Sequence, residues 1–109
     1  MEKKKSTKWV KVAKESDLPN GRVKTVVANK QQVCLVHHKN EFSALGNRCP
    51  HQGGPLGEGQ IEDGWVICPW HAYQYDPKTG KAPEGFDDHA KCHHVKKEND
   101  DIQHYPILG

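Results

Sequence analysis

An all-β domain is predicted by three features of the 109-residue sequence. Short runs of near-alternating apolar and polar residues recur between turn signals. Glycine and proline are frequent, at 10 and 7 residues, which favours turns and short strands over long helices. No stretch of useful length carries the 3.6-residue apolar period of an amphipathic helix.

The elements follow in order. Residues 9–13 read as a first strand, and Ser16-Asp17-Leu18-Pro19-Asn20-Gly21 as a turn or a single helical turn. Residues 23–28 and 32–37 read as two strands joined through Asn29-Lys30, and residues 38–40 as a turn into a strand at 41–45. Residues 46–59 hold five glycines and two prolines and read as a long loop. A strand at 64–68, a loop at 69–72 and a strand at 73–76 follow, closed by the turn signal Asp76-Pro77-Lys78-Thr79-Gly80. Residues 91–97 and 101–105 are predicted to form a hairpin across Glu98-Asn99-Asp100.

The length fits one domain, expected over residues 8–109 behind a basic flexible tail at 1–7. Apolar residues make up 34% and mean hydropathy is −0.92, so the core is small and a bound group would supplement it. Sixteen basic residues against 14 acidic ones give a net charge of +2, too balanced to argue for nucleic acid. Lys3, Lys4, Lys5 and Lys8 read as a solvated terminus, and the acidic groups at 84–88 and 98–101 as turns. Lys8, Lys11 and Lys14 interrupt any signal-peptide apolar region, and the apolar runs at 33–36 and 65–68 are too short for a bilayer. A soluble, cytoplasmic protein without a membrane partner is expected. In that compartment the four cysteines read as metal ligands or buried thiols rather than disulfides.

Cys49-Pro50-His51 stands sixteen residues before Cys68-Pro69-Trp70-His71, giving C-x-H and then C-x-x-H. Two thiolates and two imidazoles suit zinc or an iron–sulfur cluster. Zinc fingers place like ligands together, whereas here each segment supplies one Cys and one His. Two such loops can grip a dinuclear cluster from two sides, one iron taking both thiolates and the other both imidazoles.

This arrangement resembles the Rieske family, on Cys49-Pro50-His51-Gln52-Gly53-Gly54-Pro55-Leu56 and Cys68-Pro69-Trp70-His71. The resemblance implies an antiparallel β sandwich bearing a small cluster-binding subdomain, here about residues 46–76. It implies one 2Fe–2S cluster, with Cys49 and Cys68 on one iron and His51 and His71 on the other. Two ferric ions, two sulfides and two thiolates sum to zero charge. The potential is then expected at about −150 to +300 mV, above the about −400 mV of all-cysteine ferredoxins. Gly53 and Gly54 let the backbone approach the cluster, and Pro50, Pro55 and Pro69 stiffen the loops. Quinol-oxidising members carry an extra cysteine in each loop, joined as a disulfide. Gly54 and Trp70 stand at those positions, so the disulfide is absent. Tyr73 replaces a serine whose hydroxyl faces a cluster sulfur, while Tyr75 matches the family's tyrosine. The pattern is similar to soluble Rieske ferredoxins.

The remaining residues carry weaker expectations. Cys34 reads as a buried structural thiol, and Trp9, Trp65 and Phe42 as core. Trp70 either shields the cluster or meets a partner. Cys92-His93-His94 and His37-His38 read as exposed hairpin histidines in preference to a second metal site; His89 and His104 carry no assignment. The resemblance implies a one-electron carrier between a reductase and a terminal oxidoreductase, not a catalyst on its own. Ring-hydroxylating oxygenases need a mononuclear iron site for which this chain has no room. An alternative is an accessory subunit of a larger enzyme. Gly85-Phe86-Asp87-Asp88 is similar to Rieske domains found with thiamine-diphosphate-dependent enzymes, and small nitrite reductase subunits share the fold. A structural zinc module is the third alternative.

Overall fold

The structure, a computed structural model, describes residues 10–28, 30–50, 53–70, 72–86 and 88–104. The tail with Lys3, Lys4, Lys5 and Lys8, together with Trp9, Asn29, His51, Gln52, His71, Asp87 and Tyr105, lies outside the described residues. The strands are β1 (Val10–Lys14), β2 (Arg22–Ala28), β3 (Gln31–His38), β4 (Glu41–Gly46), β5 (Gln60–Glu62), β6 (Trp65–Ile67), β7 (Gln74–Tyr75), β8 (Cys92–His93), β9 (Val95–Glu98) and β10 (Asp101–His104). They pair antiparallel into three sheets, ordered β1-β10-β9, β2-β3-β4-β8 and β5-β6-β7. A single 3₁₀ turn at Glu15–Asp17 meets the expectation for that segment.

The chemistry of β3 explains how the layers stack. Successive strand side chains point to opposite faces. Val33 and Leu35 enter a core with Ala13, Leu18, Val26, Ala28, Ala44 and Ile102. Cys34 and Val36 enter a second core with Leu45, Cys49, Leu56, Val66, Cys68, Tyr75 and Ala90. The apolar run at 33–36 is therefore buried on both sides, as the middle layer of the molecule requires. One face packs on β1 and β10; the other carries the small sheet with its cysteine loops. Cys34 is the buried thiol expected, with burial pushing its pKa up to about 12.

Tight turns hold the register. The β3–β4 turn places Lys39 and Asn40 at φ 51° and 64°, the left-handed pair of a two-residue hairpin. Three expectations need correction. Residues 91–97 are not one strand: Cys92 and His93 pair with β4, and Val95 onward pairs with β10. The chain switches sheets at His94, and alternation alone cannot reveal such a corner. Secondly, β5 follows a 3₁₀ turn at Leu56–Glu58, in a stretch too short for a periodic signal. Finally, His37 and His93 are not exposed hairpin residues but 7% and 4% accessible. His37 Nδ1–H donates to the Leu18 carbonyl at 2.7 Å, and the ring stacks on Phe42. Phe42 packs against the β3 core as a half-buried residue, and Trp65 is likewise only half-buried.

Candidate metal centre

Two loops of matched design carry the cysteines. In the first, the Cys49 N–H donates to the Gly54 carbonyl at 2.8 Å. In the second, the Cys68 N–H donates to the Tyr73 carbonyl at 2.8 Å. Each loop thus closes from its cysteine to the residue five further on. The first is tightened by Gly53 N–H donating to the Cys49 carbonyl at 2.7 Å; Gly53 sits at φ 79°, where a side chain would strain the backbone. The second passes through Ala72 at φ 57°, a strained position for a residue with a Cβ.

The loops bring both thiols together inside the core. Cys49 and Cys68 are each 1% accessible, and their side chains hydrogen-bond to one another. Burial first, with the neighbouring Cys49 adding to it, pushes the Cys68 thiol up to about 11, while the backbone N–H of Trp70 on its sulfur acts in the opposite direction. Tyr75 is fully buried with its hydroxyl 3.3 Å from Cys49 Sγ. Desolvation, then the contact with Cys49, raises its pKa, so it stays a protonated donor. Each sulfur thereby has a partner outside the pair that can donate to it, the Tyr75 hydroxyl for Cys49 and the backbone N–H of Trp70 for Cys68.

Gly54 shows how closely the loops approach. A Cβ there would lie 2.9 Å from Trp70 Cγ and 3.1 Å from Cys68 Sγ. Glycine at 54 and tryptophan at 70 fill each other's space, which leaves no place for a disulfide across these positions. Trp70 covers Gly54 yet remains 49% accessible, so it screens the thiols on one side and faces solvent on the other. Pro69 is exposed beside it. His51 and His71, the expected imidazole ligands, lie outside the described residues.

Asn47 was not singled out by sequence reasoning, yet it anchors the first loop. It is 5% accessible. Its Oδ1 accepts from Gly57 N–H at 2.7 Å and from Thr25 Oγ1 at 3.2 Å, and its carbonyl accepts from Leu56 N–H at 2.7 Å. Gly57 packs so tightly on β2 that a Cβ would lie 2.6 Å from the Thr25 nitrogen. A polar residue at the mouth of a glycine-rich loop is the sole sequence signal of this role.

The donor set fits a thiolate-bound metal group. Two thiols held in a low-dielectric core are costly to ionise alone, and a bound cation reverses that preference. The Tyr75 hydroxyl and Trp70 N–H stand ready to stabilise the resulting sulfur charge.

A family model described as the Rieske [2Fe-2S] domain matches residues 8–106. The ferredoxin component of the naphthalene 1,2-dioxygenase/salicylate 5-hydroxylase systems of a Ralstonia species is 30% identical over 99 residues, covering 91% of this chain and 85% of that one. The human Rieske domain-containing protein is 38% identical over 74 residues, and the match spans about half (47%) of its length. The ferredoxin of carbazole 1,9a-dioxygenase from Nocardioides aromaticivorans superposes with a TM-score of 0.82 at 22% identity, covering 93% of this chain and all of that one. Among the described residues no helix is long and apolar enough to cross a membrane.

Proposed function

This chain belongs to the Rieske [2Fe-2S] domain family, and on that premise we propose that it carries single electrons from a reductase to a terminal oxidoreductase. The cofactor is a Rieske-type 2Fe–2S cluster. When bound, the cluster supplies one-electron chemistry, with no atom transferred. We assign Cys49 and Cys68 to one iron and His51 and His71 to the other. The observation that carries this reading is the meeting of the two buried thiols across matched loops, each sulfur supported by a separate donor.

The chain's own residues perform three tasks. Asn47 and the paired turns fix the thiols before any metal arrives, which lowers the cost of ordering on binding. Leu56, Val66 and Tyr75 exclude water from behind them. Trp70 gives the loops a half-exposed aromatic face, a residue type suited to transient protein contacts. The ferredoxin components among the relatives support a reductase on one side and an oxygenase-type enzyme on the other.

The test is metal analysis with redox titration. Purified protein is expected to be red-brown, with two irons and two acid-labile sulfides per chain. It should take up one electron from a flavin reductase supplied with reduced nicotinamide, and pass it to a soluble one-electron acceptor. Stoichiometric zinc without sulfide would overturn the reading.

A further inference from the structure

A cavity of about 510 Å³ lies between the β2–β3 turn, the start of the first cysteine loop and β8. Lys30, Arg48 and Lys91 line it, and no carboxylate does among the described residues. None of these cations takes part in an ion pair found among the described residues. Like charges gathered around a concave surface focus a positive potential there.

His93 also lines this cavity, although it is almost wholly buried. Its Nδ1 lies 2.8 Å from His104 Nε2. Its Nε2 points toward Gly46, 3.8 Å from where a Cβ would stand, and has no hydrogen-bond partner among the described residues. His104 Nδ1 is buried and has no hydrogen-bond partner among the described residues. A single proton lies between the two rings, which leaves two tautomer arrangements. If His93 Nδ1 donated, His104 Nδ1 would be an orphaned buried N–H, the rarer and costlier defect. If His104 Nε2 donates, only a lone pair is left bare, and the remaining proton of His93 sits on Nε2. That arrangement gives the cavity a neutral N–H donor beside three cations.

We propose that this cavity binds a small multivalent oxyanion, a di- or tricarboxylate or a phosphate compound, held by Lys30, Arg48 and Lys91 over the Nε2–H of His93. The volume falls within the about 300–1,000 Å³ of small-molecule sites. The planar fork of Arg48 matches carboxylate and phosphate oxygens two at a time. Arg48 precedes Cys49 and lies against Gly53, its Nε 3.3 Å from the position of a Cβ there, so the ligand would sit beside the first cysteine loop.

The test is isothermal titration calorimetry of the cluster-loaded protein with citrate, inorganic phosphate and pyrophosphate, at ionic strength fixed with sodium chloride. Saturable one-to-one binding is expected for at least one of them. The double variant Lys30→Asn/Lys91→Gln should bind it at least about tenfold more weakly, with an unchanged visible spectrum. Asparagine tolerates the left-handed backbone at position 30, φ 67°. Citrate alone binding assigns a carboxylate ligand, and the phosphates alone a phosphoryl ligand. No saturable heat with any of the three, or equal affinity in the double variant, overturns the proposal.

Discussion

Cys49 and Cys68 meet in the loops of the small sheet, whereas His93 and His104 meet between the two larger sheets. Both pairs are buried, titratable and within hydrogen-bonding contact. Their support differs. Each cysteine sulfur faces a potential donor from elsewhere, the Tyr75 hydroxyl at one and the backbone N–H of Trp70 at the other. The histidine pair ends on His104 Nδ1, which has no partner among the described residues. Extra donors around the thiols are poised for negative charge on sulfur. The imidazoles instead sit in a setting that rejects charge: burial first, then His104, Lys91 and His94, push His93 down to about 4. On the ligand assignment proposed above, the first pair ionises on metal binding, while the second stays neutral.

The largest expected effect breaks the first pair. Cys49→Ser or Cys68→Ser should abolish the visible chromophore and remove iron and sulfide together. Because metal binding contributes folding free energy directly, stability should fall by several kcal/mol, about 15 °C or more in Tm for a chain of this size. Cys34→Ala is the control from the same core. It should keep the full spectrum and cost about 1–2 kcal/mol. Loss of the chromophore in Cys34→Ala would erase the distinction between ligand and packing thiols.

The second effect concerns the imidazoles. Unfolded histidine titrates near the ordinary value, while folded His93 and His104 titrate lower. Below pH 6.5 the unfolded chain therefore binds more protons, and stability falls with falling pH until about pH 4. Above pH 6.5 the contribution is fully present. The loss across this window should be about 2–3 kcal/mol. Urea midpoints of wild type and of His93→Phe/His104→Leu at several pH values check it. The variant should show the shallower slope, and parallel curves would remove the pair as its cause.

This comparison also shows what the sequence could reveal. The meeting of Cys49 and Cys68 was legible because each stands in a short loop segment of matched design, Cys49-Pro50 and Cys68-Pro69. The apolar strand at 33–36 with its buried thiol was legible for a similar reason, and the structure covers that strand on both faces. The histidine pair is made by long-range register. Ala44 opposite His93 and Val10 opposite His104 bring β8 and β10 face to face, and no local pattern announces that meeting. The sheet switch at His94 was hidden for the same reason. Asn47 was hidden because its partners, Thr25 and Gly57, lie 22 and 10 residues away.

A third prediction sharpens the account of how the loops fit. Gly54→Ala places a methyl within 2.9 Å of the Trp70 ring, and overpacking of this kind costs about 1–3 kcal/mol. Removing the obstacle in Gly54→Ala/Trp70→Ala should recover part of that loss, giving a favourable coupling energy in a double-mutant cycle of thermal melts. Strict additivity would mean that the two residues do not share this space.

The smallest effect tests the donor that distinguishes the thiol pair. Tyr75→Phe keeps the buried ring and removes only the hydroxyl 3.3 Å from Cys49 Sγ. A hydrogen bond to sulfur stabilises the more electron-rich state of a bound cluster more than the oxidised one. Its loss should therefore lower the reduction potential. If the differential is about 1 kcal/mol, the shift is about 40 mV for a one-electron couple. Protein film voltammetry reads such a shift easily, and the unchanged core should hold Tm within a few degrees. The corresponding change at the other pair, His104→Leu, alters a ring on the β1-β10-β9 sheet, outside the core that holds the sulfurs, and should leave the potential where it was. A potential that falls in His104→Leu but not in Tyr75→Phe would reverse the roles assigned to the two buried pairs.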